Sequence, residues 1–281
     1  MQGFKKNSAV FLFIAIAVVP VLCGFIYSLL YSVGLAGLLG KGFTLEHWEK
    51  LLASGDGLMS IGYTFYLTIT TIALSMIMAF AYAWYYFRKP SERSVSKLYL
   101  PLLFPPLVAG MAWYFVLSPS GLLSRWAYAL GFIHRVEDFP RWVNDDFSFG
   151  IILTQFFLVF PIFTLLFLNI SKKENLRELY RTALHLGGDK RYFFKNIFLP
   201  ILWSKGKWVV VLYAIFLMGT YEVTLILGQT NPRTITVFIM EKLSKYNLND
   251  IPQAHAMSVL YSTMMLLFMM ILFRLKNWRI A

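Results

Sequence analysis

The chain has 281 residues, of which 58% are hydrophobic and 14% charged, with a mean hydropathy of +0.61. That is too little polar surface to coat a soluble globule of this size, so a bilayer is the solvent that suits it. The net charge of +12 does not argue for a nucleic-acid partner, because the Lys and Arg residues sit between long apolar runs and not on an amphipathic soluble surface.

Six apolar runs approach the roughly 20 residues needed to cross about 30 Å of hydrocarbon at ~1.5 Å per residue. They cover 9–30, 61–87, 98–117, 149–170, 208–227 and 256–273, and they predict an all-α membrane protein with about six transmembrane helices in a single domain, 1–281. The runs are continuous and lack the period-2 alternation of a membrane barrel. The first run follows Lys5 and Lys6 like a signal peptide, but it is longer than a signal h-region and lacks a small-residue cleavage site, so it is expected to be a retained helix. Cys23, the one cysteine, lies within it. His47, His134, His185 and His255 are far apart, so no disulfide framework and no metal-ligand spacing is present.

Orientation follows from the cations, which are retained on the cytoplasmic side. With the N-terminus inside, the inner segments hold Lys5, Lys6, Arg88, Lys89, Arg93, Lys97, nine more between Lys172 and Lys207, and Arg274, Lys276 and Arg279. The outer loops hold only Lys41, Lys50, Arg125, Arg135, Arg141, Arg233, Lys242 and Lys245. Both termini are therefore expected in the cytoplasm. Trp84, Tyr85 and Tyr86, with Trp203 and Trp208, read as interfacial anchors. Pro20, Pro161, Pro101, Pro105 and Pro106 fall within spans, where each removes a backbone donor; neighbouring helices or water around a pathway can compensate.

The segment 171–207 is the only long inner loop, and it is patterned like structure. Leu176, Leu179, Tyr180, Ala183 and Leu184 recur at helical spacing. Gly187 and Gly188 permit a left-handed turn, Asp189 can cap the next helix, and Phe193, Phe194, Ile197 and Phe198 line one side of that helix before Pro200. Such a helix-turn-helix could lie on the membrane with its cations against anionic lipid.

Glu222 is the one carboxylate placed inside a span. Counting from Trp208 at ~1.5 Å per residue puts it about 21 Å along a crossing of ~30 Å. Intramembrane acids face a bundle interior or a wet cavity. Glu222, with Tyr221 and Thr224, is thus a candidate for lining or gating a pathway, the alternative being a side chain merely wetted at the interface.

The run Arg181-Thr182-Ala183, three residues, Gly187, nine residues, then Ile197-Phe198-Leu199-Pro200 resembles the EAA loop of ABC importer permeases. That pattern is Glu-Ala-Ala, three residues, Gly, nine residues, Ile, any residue, Leu, Pro. Ala183, Gly187, Ile197, Leu199 and Pro200 match; Arg181 stands where the family has Glu, and Thr182 where it has the first Ala. Tyr63-Thr64-Phe65 through Ala79-Phe80-Ala81-Tyr82 resembles the family's second core helix. Gly219-Thr220-Tyr221-Glu222, followed by Pro232-Arg233-Thr234, resembles the end of its fifth helix and the next outer loop. The iron, thiamine, polyamine and phosphonate importers look most similar.

The resemblance implies a type I importer permease in a bacterial plasma membrane, forming half of a solute pathway. The coupling helix would run from Arg181 to Asp189, with Ala183 and Leu184 as close contacts and Gly187 and Gly188 at the turn. Partners would be a second permease subunit, identical or different, two ATPase subunits, an external solute-binding protein meeting the loop 118–148, and membrane lipid. No Gly, four residues, Gly-Lys-Ser/Thr run is present, so ATP and Mg belong to the partner ATPase and the chain itself is expected to bind no cofactor and to be no enzyme. An ion-coupled secondary transporter is the alternative, but such carriers usually show half-repeats and several intramembrane ionisable groups. A membrane enzyme would need a convergent nucleophile, base or metal cluster, and none is evident.

Overall fold

The computed structural model describes residues 12–37, 42–91 and 95–277, and among them it is all-α, with no strand. Lys5, Lys6, Lys41, Arg93 and Arg279 of the charge count lie outside the described residues, as does the start of the first run. Six helical stretches among the described residues are long and apolar enough to cross a membrane: Ala15–Ser32, Asp56–Arg88, Pro106–Ala129, Phe149–Lys173, Lys190–Met218 and Leu248–Ile271. The expected number of spans is met, and the chain is a multi-pass membrane protein.

The chain divides into two compact units, residues 1–61 with 234–281, and residues 62–233. The first contains α1 (Val19–Ser32), α2 (Glu46–Ala53), the first residues of α3 (Asp56–Arg88), α11 (Ile235–Ser244) and α12 (Ile251–Asn277). Leu51, Ile235, Phe238, Ala256 and Met257 form its core. His255 stacks on Tyr31 with ring centroids 4.4 Å apart. Lys242 pairs with Asp250 at 2.7 Å, both side chains 15% exposed.

The second unit holds the rest of α3, then α4 (Pro106–Leu117), α5 (Leu122–Ala129), α6 (Phe149–Lys173), α7 (Leu176–His185), α8 (Lys190–Phe193), α9 (Leu199–Met218) and α10 (Glu222–Leu227). A π-helical segment, Phe194–Phe198, joins α8 to α9 without interruption. Gly206 of α9 sits against α6 so closely that a Cβ there would meet the Phe167 ring at 2.9 Å. Small residues at such crossings let membrane helices approach and gain dispersion contact.

Two spans differ from expectation. The third does not begin near 98: residues 97–103 form two short 3-10 turns, Lys97–Tyr99 and Pro101–Leu103, and regular helix starts at Pro106. Phe104 and Pro105 each precede a proline and are extended, with ψ of 119° and 147°. The proline ring clashes with an α-conformation at the residue before it. The fifth helix is displaced toward the N-terminus by almost a full membrane half. Trp208 lies in the middle of α9, the helix ends at Met218, and the apolar run continues only as the six-residue α10. The apolar composition of 208–227 carried no sign of this break, since Gly219 is the only breaker in it and a lone glycine is often tolerated in a helix.

Candidate functional site

The loop expected to be a helix-turn-helix folds as one. Leu176 and Phe193 are fully buried and Tyr180 and Ala183 partly so, which gives α7 an inward face at positions 176, 180 and 183. After His185 the chain turns at Gly187, whose φ of +84° is a left-handed conformation that costs an L-residue about 1–2 kcal/mol. Gly188 donates its N–H to the Ala183 carbonyl at 2.8 Å, and a Cβ at Gly188 would sit 2.8 Å from that same oxygen. Asp189 then caps α8, its Oδ1 accepting the Tyr192 N–H at 2.6 Å. Arg181, Thr182, Leu184, Gly187 and Asp189 face solvent. At the apex Leu186 is 83% exposed and Leu184 41%. Both leucines are therefore available for contact.

Of the remaining motif positions, Ile197 packs on the core, Leu199 is half-buried, and Pro200 occupies the first turn of α9, where its missing N–H removes no helical bond. Behind the loop lies an aromatic cluster that the sequence did not reveal. Trp84 and Phe87 of α3 meet Phe194, Phe198, Tyr180 and Phe193 at centroid separations of 4.9 to 5.9 Å. Trp84 is therefore half-buried packing for the loop as well as a residue at the helix end. α8, the π segment and α9 run on from the turn as one 29-residue helical stretch, Lys190–Met218.

At its other end α9 stops at a break. Gly219 caps it, and the Thr220 hydroxyl donates to the Leu217 carbonyl at 2.7 Å. Glu222 opens α10 with its side chain exposed. It lies beyond the long helix, not within it as expected from counting along the run. Thr224 is buried, and its hydroxyl donates to the Tyr221 carbonyl at 2.9 Å. Around this break is a second feature missed from sequence: the Thr71 hydroxyl donates to Gln155 Oε1 at 3.0 Å, and Gln155 Nε2 donates to Thr220 Oγ1 at 3.3 Å. Two helices, α3 and α6, and the break itself are thereby joined by one chain of donors and acceptors. A signal was available, since Thr64, Thr68, Thr71 and Ser75 recur at intervals of four, three and four along one helix face, and all four are buried.

No group of three or more His, Cys, Asp or Glu residues among those described could hold a metal.

Comparisons with known proteins find no family model that matches the chain and no curated protein that matches it in sequence. Among solved structures it is similar to a chain of the crystal structure of a bacterial ABC transporter involved in the import of the acidic polysaccharide alginate. The TM-score is 0.66 over 95% of this chain and 96% of the other, at 16% identity. Likeness at this level shows a shared all-α fold over nearly the whole of both chains.

Proposed function

We propose that this chain is the permease subunit of a bacterial ATP-binding-cassette importer, forming half of a solute pathway as a single transmembrane domain, 1–281. The observation that carries the reading is the loop: a helix, a left-handed turn with bare leucines at its tip, and a second helix continuous with a membrane span. This is the form a mechanical input needs, because an ATPase has to move membrane helices through a small docking element. The spacing of Ala183, Gly187, Ile197, Leu199 and Pro200 supports assigning that element, 181–200 within 171–207, as an EAA-type coupling loop.

In this scheme a second permease subunit completes the pathway, two ATPase subunits carry ATP and Mg, and each loop docks in one of them. Arg181, Lys190, Arg191 and Lys195 are exposed on either side of the turn, so the receiving ATPase surface would be acidic where the family pattern has a permease Glu. An external solute-binding protein would meet 118–148, where Trp126, Tyr128, Phe132 and Phe147 are exposed. The cation bias places both termini in the cytoplasm of a cell whose plasma membrane holds the complex. Glu222, Tyr221 and Thr224, at the break after α9, are the candidate outer gate. The solute branch nearest by resemblance is the iron, thiamine, polyamine and phosphonate group.

The test is co-purification of the full chain in mild detergent with an ATP-hydrolysing subunit, compared between wild type and Leu186→Glu. The leucine has no packing role to lose, so the variant keeps its fold and is expected to lose at least tenfold of the associated ATPase. A chain that purifies without any ATPase, or that retains it fully in the variant, overturns the assignment.

A further inference from the structure

Where α6 ends and α7 begins, the second unit contains a hollow of about 530 Å³. That volume falls within the ~300–1,000 Å³ of small-molecule sites. Its walls are graded along the α6 axis. Leu165 and Leu168 lie in the apolar part of the candidate span Phe149–Lys173 and Lys172 in its last turn, so Leu165 and Lys172 are separated by about 10 Å at ~1.5 Å per residue. From α7, Arg177 and Arg181 complete the polar side, with Glu178 as the one carboxylate among the described lining residues. Lys172, Arg177 and Arg181 form no ion pair among the described residues.

Three cations against one carboxylate, above the leucines at the end of a span, match one kind of molecule better than any soluble anion. We propose that this hollow binds an anionic phospholipid, with its phosphodiester at Lys172, Arg177 and Arg181 and an acyl chain along Leu165 and Leu168. A free phosphate would satisfy the cations and leave the leucine floor wet; a zwitterionic lipid would fill the floor but bring its own cation to a site already holding three. Arg guanidinium groups suit phosphate oxygens through paired N–H donors. Basic hollows between membrane helices are recognised lipid-headgroup sites. The proposal requires only that α6 spans the membrane. It stands whether or not the chain couples to an ATPase. If it does couple, the lipid would sit behind the coupling helix and brace it against α6.

The experiment is native mass spectrometry of the full chain, with whatever subunits accompany it, titrated with dioleoyl phosphatidylglycerol and with dioleoyl phosphatidylcholine. Wild type is expected to retain the anionic lipid at least tenfold better. Lys172→Gln with Arg177→Gln should weaken that retention about thirtyfold, at roughly fivefold for each cation near a membrane surface. Lys173→Gln, one residue on and outside the lining, should change it less than twofold. Should the double variant not fold, Arg177→Gln alone should give the fivefold loss and Arg177→Lys should restore most of it. Equal retention of the two lipids, retention unaltered by these changes, or displacement of phosphatidylglycerol by millimolar glycerol phosphate would overturn the proposal, the last by showing a soluble-phosphate site. Loss of lipid with ATPase association intact, or the converse, separates this inference from the importer assignment.

Discussion

The two ends of α9 are held by opposite means. At the loop end Phe193 and Phe198 are fully buried against Trp84, Phe87 and Tyr180, a clamp of large rings with no polar atom required for its cohesion. At the other end the helix stops, and Gln155 bridges Thr71 and Thr220 across the break through individual hydrogen bonds. Dispersion among interlocked rings is insensitive to small rotations but collapses if a ring is removed, whereas a hydrogen bond is lost with a change of angle and can be remade with a neighbour. One end resists small rotations and the other can rearrange. On the importer reading proposed above, that division suits a helix that transmits a displacement while a pathway changes.

The clamp should be the costlier end to break. Phe198→Ala removes a fully buried ring and is expected to cost about 3–5 kcal/mol, read as a lowered thermal midpoint of the purified chain. If Phe198→Ala melts no earlier than wild type, the aromatic cluster is not the clamp described. Gln155→Leu fills the space but deletes both bonds. Interhelical hydrogen bonds in membranes are worth about 0.6–1.7 kcal/mol each at most, so a loss near 1–2 kcal/mol is expected. Its sharper signature is faster cysteine labelling or hydrogen exchange confined to the break around 219–221. A drop in stability as large as that of Phe198→Ala would erase the distinction between the two ends.

Two smaller changes probe the turn itself. Gly187→Ala meets no atom within 4 Å, so its cost is the backbone term alone, about 1 kcal/mol, and Gly187→Asn should cost less because Asn tolerates the left-handed region. Equal effects of the two would show that the turn is not held left-handed. Asp189→Ala removes the cap of α8 and should cost about 0.5–1 kcal/mol, near the low end for such caps because the site is exposed. Protease nicking between α7 and α8 would report it before any global melting does.

How much of this was legible in sequence depends on whether the information was local. The number of spans, the inward positions 176, 180 and 183 of α7, the left-handed glycine and the Asp189 cap follow from local pattern and are present, whereas Leu179 and Leu184, which share the helical spacing, are exposed. The apolar pattern across Pro105 and Pro106 predicts one helix; the restriction that each proline places on the residue before it is the stronger term. The end of α9 was misjudged because an apolar run looks the same whether it is one helix or two. Glu222 moved out of the span with it.

What the sequence by itself determined is the solvent, the number of crossings and the local form of the loop, since each rests on hydrophobic content, helical period or a single residue's backbone preference. Only the tertiary structure decided which rings of α3 meet which rings of the loop, that Gln155 joins Thr71 to Thr220, and that Leu165 and Lys172 share a hollow with Arg177 and Arg181. Those pairings join residues as far apart in sequence as Trp84 and Phe198, and every helix here offers several apolar faces of similar quality. In a membrane the hydrophobic effect does not choose among them, because lipid is as apolar as a neighbouring helix. Shape and the few polar partners make the choice, and both exist only once the helices are packed.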